Sequence, residues 1–243
     1  MDRIRRVIGC LGISLVMLGA ARFAGAGDVQ KTAAPGKIEI TFKSAADFEY
    51  LKNVTPEVLE IKREGLFSAT LSSLKDGINM TGALLFDEGK HQGKEPAVYG
   101  NGTYSLDFVV RPAGGYWFGL MLGPGTPKGS FVYARQPSSI VCAAFYNGGA
   151  YTLILAVDGE KKESKGLGSW VWDTRWYRMT LMVEANKDIT ATITNLSSNV
   201  VADTIKFSSP APLGFLPAKL YLVTETCPRM NNFLRLGKMV VAR

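Results

Sequence analysis

Two runs of alternating residues within Trp176–Thr194 constrain the fold of this chain most strongly. Apolar side chains recur at every second position over Tyr177–Val183 and again over Ile189–Ile193, with mostly polar residues between them. A period of two is typical of a β-strand with one buried and one exposed face. The polar residues Asn186–Asp188 separate the runs and tolerate turn conformations. The pattern therefore predicts a β-hairpin whose apolar face must be covered by a second sheet.

Shorter segments of the same kind recur along most of the chain, separated by turns rich in glycine and proline. The segment Asp47–Ile61 fits either a short helical turn that begins near Thr55 or a loop. Many short strands with such turns predict an all-β fold, a two-sheet antiparallel β-sandwich of the jelly-roll type. Besides the hairpin, the predicted strands are Lys37–Phe42, Gly82–Phe86, Thr103–Arg111, Tyr116–Leu122, Ser130–Arg135, Ser139–Tyr146, Ala150–Val157, Asn199–Phe207, Leu220–Thr224 and Asn232–Ala242.

The first 26 residues have the three parts of a secretory signal peptide. A basic segment, Asp2–Arg6, precedes the apolar run Val7–Ala21, and Ala24–Ala26 forms a site of small residues. The apolar run is too short for a comfortable membrane span. We expect cleavage after Ala26, a flexible lead-in over residues 27–36, and a single domain over residues 37–243. The mature protein is then secreted or periplasmic, with no stable membrane span.

Removal of the signal peptide lowers the formal charge of the chain. Residues 1–26 hold four arginines and one aspartate, a net charge of +3, so the +7 of the whole chain falls to +4. The remaining basic residues are scattered, whereas a nucleic-acid-binding surface needs a basic patch or stripe. Nucleic acid is therefore not an expected partner.

Two of the three cysteines, Cys142 and Cys227, remain after cleavage of the signal peptide. An even pair in an oxidising compartment permits a disulfide. Two separate buried thiols fit equally well, because the sequence does not give the separation of the two side chains.

Three segments carry a family resemblance. The phrase GLGSWVW at Gly166–Trp172, the strand Trp176–Val183 and the strand Ile189–Thr194 together resemble the concanavalin A-like lectin/glucanase superfamily, in particular its laminin-G-like members. Tyr104–Arg111 followed by Gly115–Leu120 is similar to the central strands of that superfamily. The resemblance covers about residues 37–243 and implies a jelly roll. The superfamily includes lectins, glycosidases, polysaccharide lyases and adhesion modules, so the fold alone does not select a function.

The residues that catalysis would need are not evident in the sequence. Glycosidases of this superfamily carry two carboxylates in an E-x-D-x-x-E strand, and that spacing does not occur in this chain. Polysaccharide lyases and nucleophilic triads use a positioned histidine, and the single histidine, His91, lies in a charged segment predicted to be a loop. The chain also resembles secreted keto-disaccharide hydrolase domains in its alternating strands and glycine-rich bends. Because the carboxylate spacing and a positioned histidine are not evident, absence of catalysis is the favoured interpretation. A glycan-active enzyme with a different site is the alternative.

Aromatic residues beside polar ones are the better candidates for a binding site. Aromatic rings stack on the apolar faces of sugars, and neighbouring polar groups orient the hydroxyls. Packing in the core or at a sheet edge is the competing role for each tryptophan. The candidate ligand-binding residues are Trp117, Trp170, Trp172, Trp176, Arg178, Asp107 and Arg111.

Calcium is the one cofactor that the resemblance implies, through carboxylates and backbone carbonyls. The candidate ligands, chosen by residue type alone, are Asp76, Asp87, Glu88 and Asp158.

The leading hypothesis is a secreted, non-catalytic module that binds an extracellular or cell-surface polysaccharide. A secreted glycan hydrolase or lyase with an unrecognised site is the second hypothesis. A structural envelope protein is the third, and an exposed contiguous apolar patch would favour it.

Overall fold

A computed structural model of the chain describes residues 36–43, 45–55, 59–63, 69–73, 80–88, 96–111, 116–126, 136–147, 150–163, 167–168, 175–226 and 233–243. The predicted signal peptide lies outside these residues, so its cleavage stays a prediction. No helix within the described residues is long and apolar enough to cross a membrane.

The described residues form sixteen strands and one 3-10 helix, Ala45–Tyr50. The strands are β1 Lys37–Thr41, β2 Leu51–Asn53, β3 Leu59–Arg63, β4 Ala69–Ser73, β5 Met80–Phe86, β6 Gly102–Arg111, β7 Tyr116–Gly123, β8 Ile140–Asn147, β9 Ala150–Val157, β10 Glu160–Glu163, β11 Leu167–Gly168, β12 Tyr177–Glu184, β13 Asp188–Asn195, β14 Val200–Ser208, β15 Lys219–Thr226 and β16 Phe233–Ala242.

The strands build two antiparallel sheets. The first sheet has the order β14-β13-β12-β6-β16-β4-β3, and β1 pairs with β16 beside β4. The second sheet has the order β10-β9-β8-β7-β15-β5-β2, and β11 pairs with β9 beside β10. The predicted two-sheet antiparallel sandwich is thus confirmed.

The hairpin predicted from the alternating runs is β12 and β13. The two strands pair in register from Tyr177 opposite Asn195 to Glu184 opposite Asp188. Ala185 and Asn186 close the turn with φ angles of 49° and 52°, in the left-handed region that asparagine tolerates better than most residues. The burial of β12 alternates strictly along Tyr177–Val183, so the sequence period does mark one inner and one outer face.

The inner faces of the two sheets form the main hydrophobic core. Phe108 of the first sheet meets Phe118 of the second edge-to-face, with ring centroids 4.5 Å apart, and Tyr177 of the first sheet stacks with Phe108 at 6.2 Å. Such aromatic pairs stabilise the core beyond the burial of their area. They fix how the two sheets lie against each other, and so which residues remain on the outer faces.

Five short strands were not predicted, namely β2, β3, β4, β10 and β11. None of them carries a long alternating run, and Glu160–Glu163 consists only of charged residues. A charged strand suits the edge of a sheet, where charges oppose pairing with other chains. Thr55, considered as a helix cap, instead accepts a hydrogen bond from the buried amide of Ala83 at 2.8 Å. The predicted strand Ser130–Arg135 lies outside the described residues.

Candidate functional site

The predicted site residues are divided between the two sheets. Asp107 and Arg111 lie on β6, Arg178 lies on β12, and Trp176 immediately precedes β12, all in the first sheet. Trp117 lies on β7 of the second sheet, where it pairs with Phe145 and Glu225. Trp117 therefore belongs to a different sheet from the four other predicted site residues that the structure describes. Trp170 and Trp172 lie outside the described residues.

Arg178 and Asp107 form a two-pronged ion pair on the outer face of the first sheet. They stand opposite each other in the β12–β6 register. Arg178 donates from Nε to Oδ1 at 2.6 Å and from Nη2 to Oδ2 at 2.9 Å. Asp107 is only 8% exposed, and its hydrogen bonds raise the pKa of the Arg178 guanidinium. Both groups are held in one geometry, which is the kind of rigid polar feature that can orient a ligand.

Trp176 lies on the same face and is half-buried. Its indole occupies the space above Gly237 of β16, where three ring carbons lie 2.6–3.2 Å from the position that a Cβ would take. Because β6 separates β12 from β16, the indole reaches across β6. It passes the position of Val109, which is 7% exposed although it belongs to the outer face. The indole therefore contacts the outer face of the first sheet at Gly237.

Gly237 is a site residue that the sequence analysis missed. It falls where the β16–β6 register shifts, between Leu236 and Met239. A glycine inside a strand pattern often marks a bulge or the close approach of another group to the backbone. The glycine at position 237 was therefore the available signal for this site. It did not reveal that the approaching group is Trp176, because the two residues are distant in sequence.

A second ion-pair group adjoins the first. Glu39 of β1 accepts from Lys238 Nζ at 2.6 Å and from Lys37 Nζ at 3.4 Å. The hydrogen bond with Lys238 contributes most to lowering the pKa of Glu39. The two groups are near each other because β1, β16, β6 and β12 are successive neighbours in the sheet, and the charge of Glu39 helps to raise the pKa of Arg178. Together they make up the charged cluster, which consists of Lys37, Glu39, Asp107, Arg178 and Lys238.

Hydroxyl groups cover the sheet beside the charged cluster. Thr204, Thr192, Thr180 and Ser105 stand opposite one another on the successive strands β14, β13, β12 and β6. Adjacent strands are about 4.8 Å apart, so the row extends over about 14 Å. The outer face of the first sheet is thus polar, and it combines an aromatic ring, fixed charges and a hydroxyl row.

The outer face of the second sheet differs in character. Its central residues form a second hydrophobic cluster that is shielded from solvent. Burial also raises the pKa of the Tyr221 phenol on this face. A sugar in solution has no access to these described side chains, whereas described polar side chains on the outer face of the first sheet are partly exposed. The buried members of the cluster are Ala83, Leu85, Met121, Val141, Ala143, Tyr221 and Val223.

The calcium candidates do not converge on one site. Asp158 sits at a turn with a φ of 47°, where its Oδ1 accepts from the Ser138 amide at 2.8 Å. It borders a surface depression of about 550 Å³ lined by Pro137 and residues 158–161. Glu88 pairs with Arg243, and Asp76 lies outside the described residues. Among the described residues no three acidic, histidine or cysteine side chains are grouped to hold an ion.

Cys142 is a free thiol on the inner face of β8, fully buried in the main core, and burial raises its pKa. The sequence left open a disulfide or two separate buried thiols, and the state of Cys142 agrees with the second alternative. Cys227 lies outside the described residues, as does His91.

No family model matches the sequence, and no curated protein matches it either. Solved structures do match the fold. A lectin from Bauhinia forficata in complex with GalNAc has a TM-score of 0.55 at 10% identity, with 85% of this chain and 98% of the lectin covered. The lectin UEA-II complexed with galactose has a TM-score of 0.53 at 13% identity, with the same shares covered.

A third matching structure is an enzyme. A variant of the alginate lyase Aly36B in complex with an alginate trisaccharide has a TM-score of 0.53 at 13% identity, with 87% of this chain and 100% of the lyase covered. At these identities the likeness concerns the fold, which lectins and a lyase share. The chain has the concanavalin A-like jelly-roll fold, as its sequence resemblance implied.

Proposed function

We propose that this protein is a secreted, non-catalytic glycan-binding module whose site lies on the outer face of the first sheet. The observation that carries the proposal is the indole of Trp176 laid over Gly237 beside the ion pair of Arg178 and Asp107. A flat ring offers a stacking surface for the C–H groups of a sugar, and the adjacent charged groups can hydrogen-bond its hydroxyls.

The fold relatives support a carbohydrate ligand. The relatives described above are in complex with GalNAc, galactose and an alginate trisaccharide. Binding without catalysis is favoured over turnover because the E-x-D-x-x-E spacing is missing from the whole sequence. The expected partner is an extracellular or cell-surface polysaccharide.

Export is part of the proposal and rests on the N-terminal sequence. Arg3, Arg5 and Arg6 precede an apolar run and a small-residue site, as in a secretory signal peptide. N-terminal sequencing of the protein recovered from the periplasm or the medium should begin at Gly27. Recovery of the chain in the cytoplasm with Met1 intact would contradict export.

A glycan array probed with the exported protein tests binding. Binding should fall roughly fivefold or more in Trp176→Ala, by analogy with nucleic-acid bases stacked on aromatic side chains, where the stacking is worth about 1–3 kcal/mol per base. Trp117→Ala is the matched control, because it removes an indole from the other sheet. Circular dichroism should first show that both variants are folded.

Among the outcomes in which a glycan is bound, two would overturn the proposal. One is unchanged glycan binding by folded Trp176→Ala. The other is the appearance of new reducing ends or unsaturated products when the protein is incubated with the bound glycan, which would favour the enzyme hypothesis. An array on which no glycan is bound would favour the envelope-protein hypothesis instead.

A further inference from the structure

We infer that the ligand of this face is an acidic polysaccharide, whose carboxylate or sulfate groups are bound by the cations of the charged cluster. This inference rests on the proposed function and adds the chemical class of the ligand. It also adds Lys37 and Lys238 as residues that determine specificity.

The acids of the charged cluster lie deeper than its cations. The side chains of Asp107 and Glu39 are 12% and 19% exposed. Those of Lys238, Arg178 and Lys37 are 33%, 38% and 40% exposed. An approaching molecule therefore meets mainly ammonium and guanidinium groups, with the carboxylates beneath them.

The carboxylate oxygens of the charged cluster are already engaged. Both oxygens of Asp107 accept from Arg178. On Glu39, Oε1 contacts Lys238 and Oε2 contacts Lys37. A neutral sugar hydroxyl needs acceptors as well as donors from its site, whereas the groups left facing outward here are N–H donors. Ionised acceptors form the stronger hydrogen bonds with such donors.

The charges of the cluster do not cancel. Lys37, Arg178 and Lys238 supply three positive charges against the two negative charges of Glu39 and Asp107. One positive charge is thus in excess on a surface where the acids are already paired. An anionic group on the ligand would neutralise this excess.

The cations stand next to the proposed stacking ring. Lys238 directly follows Gly237, which lies under the indole of Trp176. Arg178 follows Trp176 by two positions and so lies on the same face of the sheet. A sugar stacked on the indole would therefore lie beside both cations, which flank Asp107 on the neighbouring strands β12 and β16. An acidic substituent on that ring, or on the next sugar of the chain, falls within reach of these cations.

The test uses two pairs of polymers that differ in charge on the same backbone. Polygalacturonate and fully methyl-esterified pectin differ in the free carboxylate, and dextran sulfate and dextran differ in the sulfate. The exported protein should bind at least one acidic polymer at least tenfold more tightly than its neutral partner, and the two pairs distinguish carboxylate from sulfate as the group bound.

Matched variants separate a specific site from general attraction. Lys238→Gln should weaken binding of the preferred acidic polymer roughly fivefold to tenfold. Lys206→Gln removes the same charge from an exposed position on β14 and should leave binding within about twofold, because at physiological salt separated surface charges are largely screened.

Three results would overturn the inference. Equal affinity for charged and neutral partners would show that the site recognises sugar without regard to charge, and the proposed function would stand. Equal losses in Lys206→Gln and Lys238→Gln would show a diffuse electrostatic effect. Binding to neither acidic polymer, with neutral glycans still bound on the array, would exclude an acidic ligand while leaving glycan binding intact.

Discussion

Trp176 lies across strand β6 with its indole against Gly237 of the next strand, β16. The glycine makes this arrangement possible, because any side chain at position 237 would enter the space that the ring occupies. The pair joins a residue that the sequence analysis chose as a ligand contact to one that it overlooked.

Gly237→Ala should displace the indole. The added Cβ would come within 2.6 Å of a ring carbon, and overpacking of this kind typically costs about 1–3 kcal/mol. Urea unfolding measures the loss of stability, and Gly125→Ala is the control, since nothing lies within 4 Å of its added Cβ. In Trp176→Ala the cost of Gly237→Ala should nearly vanish. Additive effects of the two substitutions would contradict the contact.

Arg178→Ala should destabilise the protein by roughly 1–3 kcal/mol, because it leaves the nearly buried carboxylate of Asp107 without its partner. The exposure of Arg178 to solvent places the expected value toward the lower end. Arg178→Lys keeps the charge but loses the two-pronged geometry, so it should recover only part of the loss. A double-mutant cycle with Asp107→Asn should show coupling, and a coupling energy of zero would contradict the ion pair.

The protein should lose stability in alkali as its buried tyrosines ionise. Burial raises the pKa of Tyr104 to about 12. The unfolded value is about 10, so the folded state holds this proton more tightly. The contribution of Tyr104 to the free energy of unfolding is therefore fully present below about pH 10. It decreases by about 2–3 kcal/mol as the pH rises toward 12.

Tyr104→Phe tests the assignment of that loss. The variant should be about 1 kcal/mol less stable at pH 7, because it lacks the hydrogen bond that the hydroxyl donates to the Gly100 carbonyl at 2.8 Å. Between pH 10 and 12 its stability should decrease less steeply than that of the wild type. Parallel curves of unfolding free energy against pH would show that Tyr104 does not contribute.

Cys142 should resist thiol reagents in the folded protein. It is fully buried, and its raised pKa leaves little thiolate at neutral pH. Mass spectrometry of iodoacetamide-treated protein should show the Cys142 peptide labelled only after unfolding, without any reductant. A requirement for reductant as well as denaturant would show instead that Cys142 is held in a disulfide with Cys227.

The alternation of apolar and polar residues predicted the strands best where one face of the strand is buried and the other is exposed. The alternation in Tyr177–Val183 and Ile189–Ile193 was enough to define the β12–β13 hairpin and its inner face. It also placed Trp176 and Arg178 on a common outer face. The edge strand Glu160–Glu163 carries no such alternation, because all four of its positions hold charged residues.

The sequence by itself determined the β-sandwich and, in the strands with an alternating pattern, the side that is buried, since both depend on the hydrophobicity of neighbouring residues. The tertiary structure alone decided which outer faces share a surface. Trp117 was grouped with Trp176, yet the two belong to opposite sheets. Glu39 and Lys238 come from opposite ends of the chain and meet only because β1 pairs with β16. Strand order depends on long-range pairing and on packing between sheets, and neither is recorded in the period of a single strand.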